Sequence, residues 1–383
     1  MKQKAFLDIY NSLQGAVLDN AIAGIENAAS ESVDSALSHI PLSSDGFLAL
    51  LSDSADDKIK QIEKAARELT AQRFGRTVNL YIPLYLSNAC VNRCAYCGFN
   101  RDEEIKRKTL SLTEVITEGE RILGEGYKNI LLVAGEDKRE IPVSYIEACV
   151  KSLKDLGFVF VGIETQTFKE DEYRRLGAAG LDGVTIYQET YDRKVYEKVH
   201  LLGPKRNFEW RLETAERVAR AGIRSVGLGF LLGLADFRRE AVTLATHIKF
   251  MQKKYWQTTV SVSFPRLHSA PKAFACENKV SDAELIRLIL AMRLANPDTL
   301  LALSTREPAK LRDRLFGAGI NQVSAGSRTN PGGYSDSSPD EAAGEQFPVV
   351  DDRSPEEVVE AIGRQGLDWV WKDWDTTLKP VSG

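Results

Sequence analysis

From residue 78 onward, short apolar and β-branched runs alternate with longer amphipathic stretches, and this alternation constrains the fold more than any other feature. Each short run is typical of a buried strand, and each longer stretch has helical spacing. Strands that alternate with helices form a parallel sheet with right-handed crossovers. The predicted strands are Val78–Leu86, Asn129–Ala134, Val159–Ile163, Gly183–Tyr187, Ser225–Gly229, Thr258–Ser263, Leu300–Ser304 and Asn321–Ser324.

The amphipathic stretches between and after these strands complete eight β/α units. Eight units predict an α/β fold in which a TIM-type (βα)8 barrel closes on itself, and a six-unit open barrel is the alternative. A chain of 383 residues can hold such a barrel together with additions at both ends. The predicted helices are Thr113–Glu125, Ser144–Leu156, Lys169–Leu176, Phe208–Ala221, Arg238–Tyr255, Ser281–Ala295, Pro308–Ala318 and Pro355–Gln365.

The predicted barrel occupies residues 77–325, and residues 1–76 precede it as a helical extension. Apolar residues at helical spacing predict a helix over 56–74, with Ser54 as its N-cap and Gly75 beyond its end. We expect this extension to cover the bottom or the side of the barrel.

Residues 326–383 are predicted to hold a long loop, a final helix and a C-terminal tail that packs on the barrel. The loop over residues 326–346 is rich in Gly, Ser, Pro and acidic residues. Loops of this length in compact domains are functional or disordered. A substrate lid, a docking loop for a partner and simple disorder are all open for this segment.

Composition argues against several classes of function. The formal net charge is −4, so we expect neither nucleic acid nor an anionic membrane surface as a partner. No apolar run approaches the roughly 20 residues of a membrane-spanning helix, and the N-terminus lacks the apolar core of a signal peptide. Five cysteines, three of them clustered, do not resemble a disulfide framework. We therefore expect a soluble, cytoplasmic protein.

Three of the five cysteines, Cys90, Cys94 and Cys97, directly follow the first predicted strand in a C-x3-C-x2-C pattern. Three thiolates on one loop can bind three irons of a 4Fe-4S cluster and leave the fourth iron open to a cofactor. A zinc site is disfavoured because no second pair of Cys or His residues accompanies the trio. Cys149 and Cys276 stand alone and are predicted to be a core residue and a loop thiol.

Polar and charged residues follow several of the other predicted strands. In β/α barrels the chemistry lies at the carboxyl ends of the strands, where the following loops meet. The sequence therefore predicts that these side chains share one rim with the cysteines. They are Gly135 and Glu136, Glu164 and Gln166, Gln188 and Glu189, Arg266, Arg306 and Ser324.

The cysteine spacing, with Tyr96 before the last cysteine, resembles the radical S-adenosylmethionine superfamily. The resemblance implies that the open iron chelates the amino and carboxylate groups of S-adenosylmethionine. Gly135-Glu136 is similar to the superfamily's Gly-Gly-Glu segment, which accepts hydrogen bonds from the methionine ammonium, with Ala134 in place of one glycine.

Three further residues are assigned to this cofactor by the same resemblance. Arg211 matches the arginine that pairs with the methionine carboxylate in full-barrel members. Gln188 and Glu164 occupy positions where contacts to the ribose are expected.

Several segments along the chain resemble the 2-iminoacetate synthases, the tyrosine lyases of the thiazole branch of thiamine biosynthesis. A related tyrosine lyase matures FeFe-hydrogenase and carries a second cysteine cluster near its C-terminus. No cysteine follows Cys276 here, which favours the thiamine family. The matching segments include Tyr187–Tyr191, Ser261–Arg266, Leu303–Glu307, Pro331–Tyr334 and Trp371–Asp375.

The resemblance implies a reaction, its cofactors and its partners. One 4Fe-4S cluster and S-adenosylmethionine generate a 5′-deoxyadenosyl radical, which takes a hydrogen from the amino group of L-tyrosine. The Cα–Cβ bond then breaks and yields 2-iminoacetate (dehydroglycine) and p-cresol. The implied partners are a thiazole synthase and a flavodoxin or ferredoxin electron donor.

Other activities stay open at this point. A lyase of another aromatic amino acid, such as tryptophan, is one alternative. A hydrogenase-maturation type of tyrosine lyase without the accessory cluster is another, and a non-catalytic cluster carrier is a third.

A tyrosine substrate requires a group that binds its carboxylate, and arginine offers a planar, bidentate donor for that task. Arg306, just past the seventh predicted strand, is the first candidate, assisted by the hydroxyl of Ser324. Arg266 is the second candidate. The alternative for Arg306 is a structural ion pair with Glu307 or another acid.

Overall fold

Eight parallel strands close into a barrel in the computed structural model, which describes residues 4–268, 274–335 and 343–372. Each strand pairs with the next one in the chain, and the last pairs with the first, so that Leu80 lies opposite Val323. The closed eight-stranded barrel is therefore confirmed, and the six-unit alternative is wrong. The strands are β1 Thr77–Ser87, β2 Asn129–Ala134, β3 Phe160–Glu164, β4 Gly183–Thr185, β5 Ser225–Gly229, β6 Thr259–Ser263, β7 Leu300–Leu303 and β8 Gln322–Ser324.

The helices of the barrel surround these strands. A final strand, β9 Asp368–Val370, pairs in parallel with the first residues of β1 and was not predicted. The helices from the barrel onward are α6 Leu112–Gly124, α7 Val143–Leu156, α8 Glu170–Ala178, α9 Arg193–Val199, α10 Phe208–Leu212, α11 Thr214–Arg220, α12 Phe237–Lys254, α13 Asp282–Ala295, α14 Ala309–Leu315 and α15 Pro355–Arg364.

Five helices and one 3-10 turn form the extension that precedes β1. The helices α4 and α5 pack against α13, and the helices α1 and α2 pack against α12. The extension thus lies against the outer helices at the side of the barrel. Its elements are α1 Phe6–Leu13, α2 Ala16–Glu26, α3 Ser30–Leu37, α4 Ser44–Leu51, the 3-10 turn Asp53–Lys58 and α5 Ile59–Phe74.

The start of α5 corrects one expectation. Ser54 is not its N-cap, because α5 begins at Ile59 and Ser54 lies inside the preceding 3-10 turn. The buried guanidinium of Arg287 binds Asp53 at 2.8 Å and Asp56 at 2.8 Å, which holds the acidic residues in the tighter turn. Gly75 ends the helix, as predicted, with a positive φ of 68°.

The predicted helix over 208–221 is two helices, α10 and α11. The carbonyl of Trp210 accepts hydrogen bonds from the Thr214 hydroxyl at 3.0 Å and from the Arg217 guanidinium at 2.5 Å. These side-chain donors compete with the backbone ladder and interrupt the helix at Glu213.

A two-stranded antiparallel ribbon, named here the cysteine ribbon, lies outside the barrel. It pairs Arg93–Cys94 with His200–Leu202, two segments that sequence patterns did not connect. Among the described helices, none combines the length and the apolar character that a membrane crossing requires.

Candidate active site

The cysteine loop follows β1 and carries all three thiols of the motif. The backbone N–H of Phe99 donates to Cys97 Sγ at 3.4 Å, and the Asn92 amide lies 3.8 Å from Cys90 Sγ. Burial raises the pKa of all three thiols, Cys94 most clearly, and the charges of neighbouring thiolates add to that effect. One buried thiol and two partly buried thiols, the latter with N–H neighbours, can hold a metal centre that keeps them ionised.

The loop is fixed from two sides. The guanidinium of Arg107 donates to the carbonyls of Asn88, at 2.6 Å, and of Phe99, at 3.0 Å. On the other side, the loop presses against Gly135, where an added Cβ would lie 2.2 Å from the carbonyl oxygen of Ala89. Only glycine permits so close an approach, which explains the residue type at this predicted site position.

Glu136 and Arg211, predicted from separate segments, meet at the rim. Their Oε1 and Nη1 atoms are 3.0 Å apart, and the second carboxylate oxygen of Glu136 accepts from Asn92 Nδ2 at 2.9 Å. The Nε of Arg211 donates to the Tyr187 carbonyl at 2.6 Å, which orients the guanidinium. The buried arginine thus joins the loop after β2 to the loop after β4.

Glu189 and Lys205 form a second ion pair beside the first, with Oε1 and Nζ 2.7 Å apart. Burial opposes ionisation of Glu189, but Lys205 and Arg211 outweigh it and lower the pKa of the carboxyl. Glu189 has a φ of 70°, a conformation uncommon outside glycine and concentrated at functional sites. Glu189 was placed at the rim by its strand position, whereas no sequence signal marked Lys205.

One cavity of about 360 Å³ opens beside the cysteine loop. A smaller inner space of about 60 Å³ adjoins it and is lined in part by Ser304 and Ser324. We refer to the two together as the cavity. Residues that line both spaces are Glu164, Tyr187, Pro265, Arg306, Gln346 and Phe347, and the outer space also touches Tyr96, Cys97, Glu189 and Lys205.

Arg306 lines both parts of the cavity. Its guanidinium stacks on the ring of Phe347, 3.3 Å from the ring centroid. Within the described ranges, no hydrogen bond or ion pair engages this guanidinium. The predicted alternative, a structural pair with Glu307, is wrong because Glu307 binds Arg266 instead.

The structure corrects the second candidate for the substrate carboxylate. The guanidinium of Arg266 binds Glu307, lies 2.7 Å from an oxygen of Asp282 and donates to the Val280 carbonyl at 3.0 Å. Arg266 is not among the residues that line the cavity. Its donors are occupied, so its role is to tie the loop after β6 to the loop after β7.

The remaining predicted residues divide between the cavity and its surroundings. Ser324 is buried and lines the inner space, and Glu164 lines both spaces. Burial and the nearby Glu189 raise the pKa of Glu164 to about 7. Tyr96 faces the outer space, and its hydroxyl pairs with His200 Nε2 at 2.9 Å. Gln188 does not line the cavity, because its side-chain amide donates to the Phe208 carbonyl at 3.4 Å, and its contact to the ribose stays a prediction.

Residues 343–348, named here the strap, cross the opening of the cavity. The side-chain carbonyl of Gln346 accepts a hydrogen bond from the Tyr85 hydroxyl at 2.7 Å. The backbone N–H of Gln346 donates to the Thr329 carbonyl at 3.0 Å. Gly98 of the cysteine loop packs so closely that an added Cβ would lie 2.5 Å from the carbonyl oxygen of Gln346. This position favours the lid among the alternatives for the loop over 326–346, of which residues 336–342 lie outside the described ranges.

Comparison with known proteins identifies the family. The sequence model of the radical SAM superfamily matches residues 84–245, and that of the Biotin and Thiamin Synthesis associated domain matches residues 263–368. The chain is 42% identical over 380 residues to the 2-iminoacetate synthase of Escherichia coli K12, covering 99% of both chains. This chain belongs to the 2-iminoacetate synthase family. The family protein of Salmonella typhimurium LT2 shows the same identity and coverage.

Solved structures agree with this assignment. The FeFe-hydrogenase maturase HydG from Carboxydothermus hydrogenoformans is 31% identical and superposes with a TM-score of 0.87, covering 96% of this chain and 86% of that one. A second HydG structure gives a TM-score of 0.86 at the same identity, with coverage of 94% and 80%. The resemblance seen in the sequence is therefore confirmed at the level of both family and fold.

Proposed function

We propose that this chain is a radical S-adenosylmethionine lyase that cleaves the Cα–Cβ bond of L-tyrosine. The products are 2-iminoacetate (dehydroglycine) and p-cresol, and the first supplies the thiazole branch of thiamine biosynthesis. The observation that carries the proposal is the cavity between the cysteine loop and Arg306, an arginine whose guanidinium makes no ion pair in the described part of the chain. The name and the full-length similarity of the curated relatives support it.

The residues at the rim fit a 4Fe-4S cluster and S-adenosylmethionine. Cys90, Cys94 and Cys97 would hold the cluster, since they lie on one loop, Cys94 is buried, and the thiols of Cys90 and Cys97 contact N–H groups. In the described segments no three His, Cys, Asp or Glu side chains converge as for a single metal ion, and a four-iron cluster is wider than one ion. When bound, the cluster and S-adenosylmethionine supply a 5′-deoxyadenosyl radical.

Glu136 and Arg211 would bind the two charged groups of the methionine portion. Glu136 is an acceptor for an ammonium, and Arg211 is a donor for a carboxylate. Each currently neutralises the other across 3.0 Å, so a bound zwitterion exchanges one internal ion pair for two pairs with the ligand. Glu189 and Lys205 would hold the adjacent wall in place through their own pair.

Arg306 would bind the carboxylate of tyrosine through its planar donors. The Phe347 ring covers one face of the guanidinium and leaves its edge, which carries the N–H groups, open to a ligand. The Ser324 hydroxyl in the inner space would add a further hydrogen bond. Glu164, whose pKa is raised to about 7, is a wall residue that can hold a proton at neutral pH.

The strap gives the cavity the enclosure that radical chemistry requires. It contacts the cysteine loop at Gly98 and Arg306 at Phe347, so one short segment borders both ends of the cavity. An enclosed site excludes water and other groups that would quench a reactive intermediate. Enclosure and fixed orientation are the contributions of the protein, whereas the cofactor supplies the chemistry.

The product and the cofactor imply protein partners. Because the imine hydrolyses readily, a thiazole synthase would take it directly. A flavodoxin or a ferredoxin would supply the electron.

The cytoplasmic location and the division of the chain at residues 76 and 325 stay predictions.

Anaerobic reconstitution tests the proposed function. The reconstituted protein is incubated with dithionite, S-adenosylmethionine and L-tyrosine, and 5′-deoxyadenosine and p-cresol are quantified. We expect both products in comparable amounts. Formation of 5′-deoxyadenosine without p-cresol, or of a product from tryptophan instead, would contradict the tyrosine lyase.

A further inference from the structure

The outer face of the cysteine ribbon exposes two adjacent large apolar residues. Leu201 is 48% exposed and Leu202 is 43% exposed. Scattered single apolar residues are normal at protein surfaces, whereas neighbouring ones on a rigid strand are typical of contact sites. The strand is held in place by its pairing with Arg93 and Cys94, so the two leucines form a fixed feature rather than part of a loose loop.

This apolar pair lies directly over a residue of the cysteine motif. Cys94 pairs with His200, and Arg93 pairs with Leu202. Cys94 and His200 are 4% and 0% exposed, while Arg93, Leu201 and Leu202 are exposed. The register shifts between the two pairs, so that Leu201 is an extra residue between the partners of Cys94 and Arg93. The exposed leucines therefore follow directly on the residue that pairs with buried Cys94. The other side of the cysteine loop borders the cavity, which the substrates need.

The segments around the ribbon are basic, although the whole chain is acidic. Residues 91–108 and 192–206 together contain ten Lys or Arg and five Asp or Glu, a net charge of +5, whereas the chain has a net charge of −4. Part of this charge is neutralised by ion pairs: Arg93 pairs with Asp102 inside these segments, and four other cations pair with acids outside them. Those four pairs are Lys108–Glu114, Arg193–Glu209, Lys198–Glu277 and Lys205–Glu189. Arg206 is exposed, and no ion pair or hydrogen bond of its guanidinium occurs among the described residues. Complementary charge speeds association and selects the orientation of a partner more than it adds affinity.

We propose that this face is the docking surface of a small acidic protein that carries one electron. We define it as Arg93, Leu201, Leu202 and Arg206 and call it the ribbon face. The proposal rests on the proposed function, which requires a reduced cluster. One electron passes from the reduced carrier to the oxidised cluster, so the carrier loses one electron, the cluster gains one, and no atom is transferred. The leucines supply the apolar contact, and exposed cations without an ion-pair partner in the described ranges, such as Arg206, attract the acidic partner.

Two readouts test the ribbon face. The first is the dissociation constant for oxidised flavodoxin, measured by calorimetry. The second is the ratio of p-cresol formation driven by reduced flavodoxin to that driven by dithionite, which needs no docking surface. The variant Leu201→Glu/Leu202→Glu removes the apolar contact and adds negative charge. The matched control is Trp256→Glu, since Trp256 is 77% exposed and precedes β6 at the opposite end of the barrel.

We expect the double variant to weaken flavodoxin binding and to lower the turnover ratio, each by about tenfold or more. Trp256→Glu should change either readout by no more than about twofold. For the parent protein, raising the salt from about 0.05 M to about 0.5 M should weaken binding and leave turnover with dithionite unchanged. Arg206→Glu should weaken flavodoxin binding and lower the turnover ratio by a smaller factor. If the double variant fails to fold, the result for Arg206→Glu tests the proposal in its place.

Other results would overturn the proposal. Unchanged flavodoxin binding by the double variant is one. Another is a change of oligomeric state with unchanged flavodoxin binding, which would make the ribbon face a contact between copies of this chain. Loss of thiazole synthase binding in place of flavodoxin binding would assign the face to that enzyme. Absence of p-cresol from the parent protein with dithionite would instead contradict the proposed function, whatever the dissociation constants.

Discussion

The two ends of the cavity differ in whether their charged side chains form ion pairs. At the cysteine end, Glu136 pairs with Arg211 and Glu189 pairs with Lys205, so each buried charge already has a partner. At the other end, Arg306 has an aromatic ring beside it and makes no ion pair within the described ranges, although its charge acts on Glu164 across the cavity. A partly buried charge without a direct ion-pair partner costs free energy that an ionised ligand can recover. The first end is thus ordered before a ligand arrives, whereas the second is completed by a carboxylate.

Removal of a cluster ligand should reduce activity more than any other change, because the cysteine end of the cavity can then no longer hold the cluster. We expect Cys94→Ala to lose the visible absorbance of the reconstituted cluster and to form neither 5′-deoxyadenosine nor p-cresol above background. Cys276→Ala is the control, since Cys276 lies outside the motif and its thiol contacts the Gly233 carbonyl at 3.3 Å. Equal losses in the two variants would show that cysteine content, rather than the motif, determines activity.

The next largest effect should come from Arg306→Lys, which keeps the charge at the other end but loses the planar donor. We expect kcat/KM for tyrosine to fall by about 10- to 100-fold, the range for loss of a charge-assisted bidentate contact. Arg266→Lys is the matched control and should lower the thermal stability while leaving kcat/KM near that of the parent. Undiminished tyrosine turnover by Arg306→Lys would refute the carboxylate assignment.

The strap links the two ends, and Gly98→Ala tests that link. The new methyl group would meet the Gln346 carbonyl at 2.5 Å, so the strap must move. We expect KM for tyrosine to rise by roughly tenfold at unchanged iron content. Gly124→Ala, in a helix with nothing within 4 Å of the new methyl, should instead gain about 0.5–1 kcal/mol of stability. Kinetics of Gly98→Ala identical to those of the parent would mean that the strap does not bear on the substrate.

The smallest expected effect is on thermal stability and concerns Glu164, which lines the wall of the cavity between its two ends. Burial favours the protonated form of Glu164 and raises its pKa to about 7, so the folded state binds a proton that the unfolded state has already released. Stability contributed by this residue is therefore lost as the pH rises from the ordinary glutamate range to about 7. We expect Glu164→Gln to melt at the temperature of the parent near about pH 4 and above it near about pH 8. Glu114→Gln should behave oppositely, because hydrogen bonds from Ser111 lower the pKa of Glu114.

Local pattern predicted the barrel well because its strands and helices bury faces of fixed period. The strands β2 and β5 match their predicted bounds, and Glu136 and Arg211 meet as separate motifs implied. What the sequence did not reveal depends on contacts between distant segments. The pairing of Cys94 with His200, the position of Phe347 over Arg306 and the capture of Arg266 by Glu307 each join residues whose local sequence carries no periodic signal.

The barrel closes at its first strand, β1, which pairs with the last strand of the barrel. The residues of β1 pair with β8 and β9, whose residues follow roughly 240 to 290 positions later in the chain. Contacts of such long sequence separation form late, after the loop entropy between them has been lost. During synthesis one edge of β1 therefore stays unpaired until the C-terminal part of the chain has been made. A product truncated before residue 322 would keep this strand edge unpaired and open to aggregation.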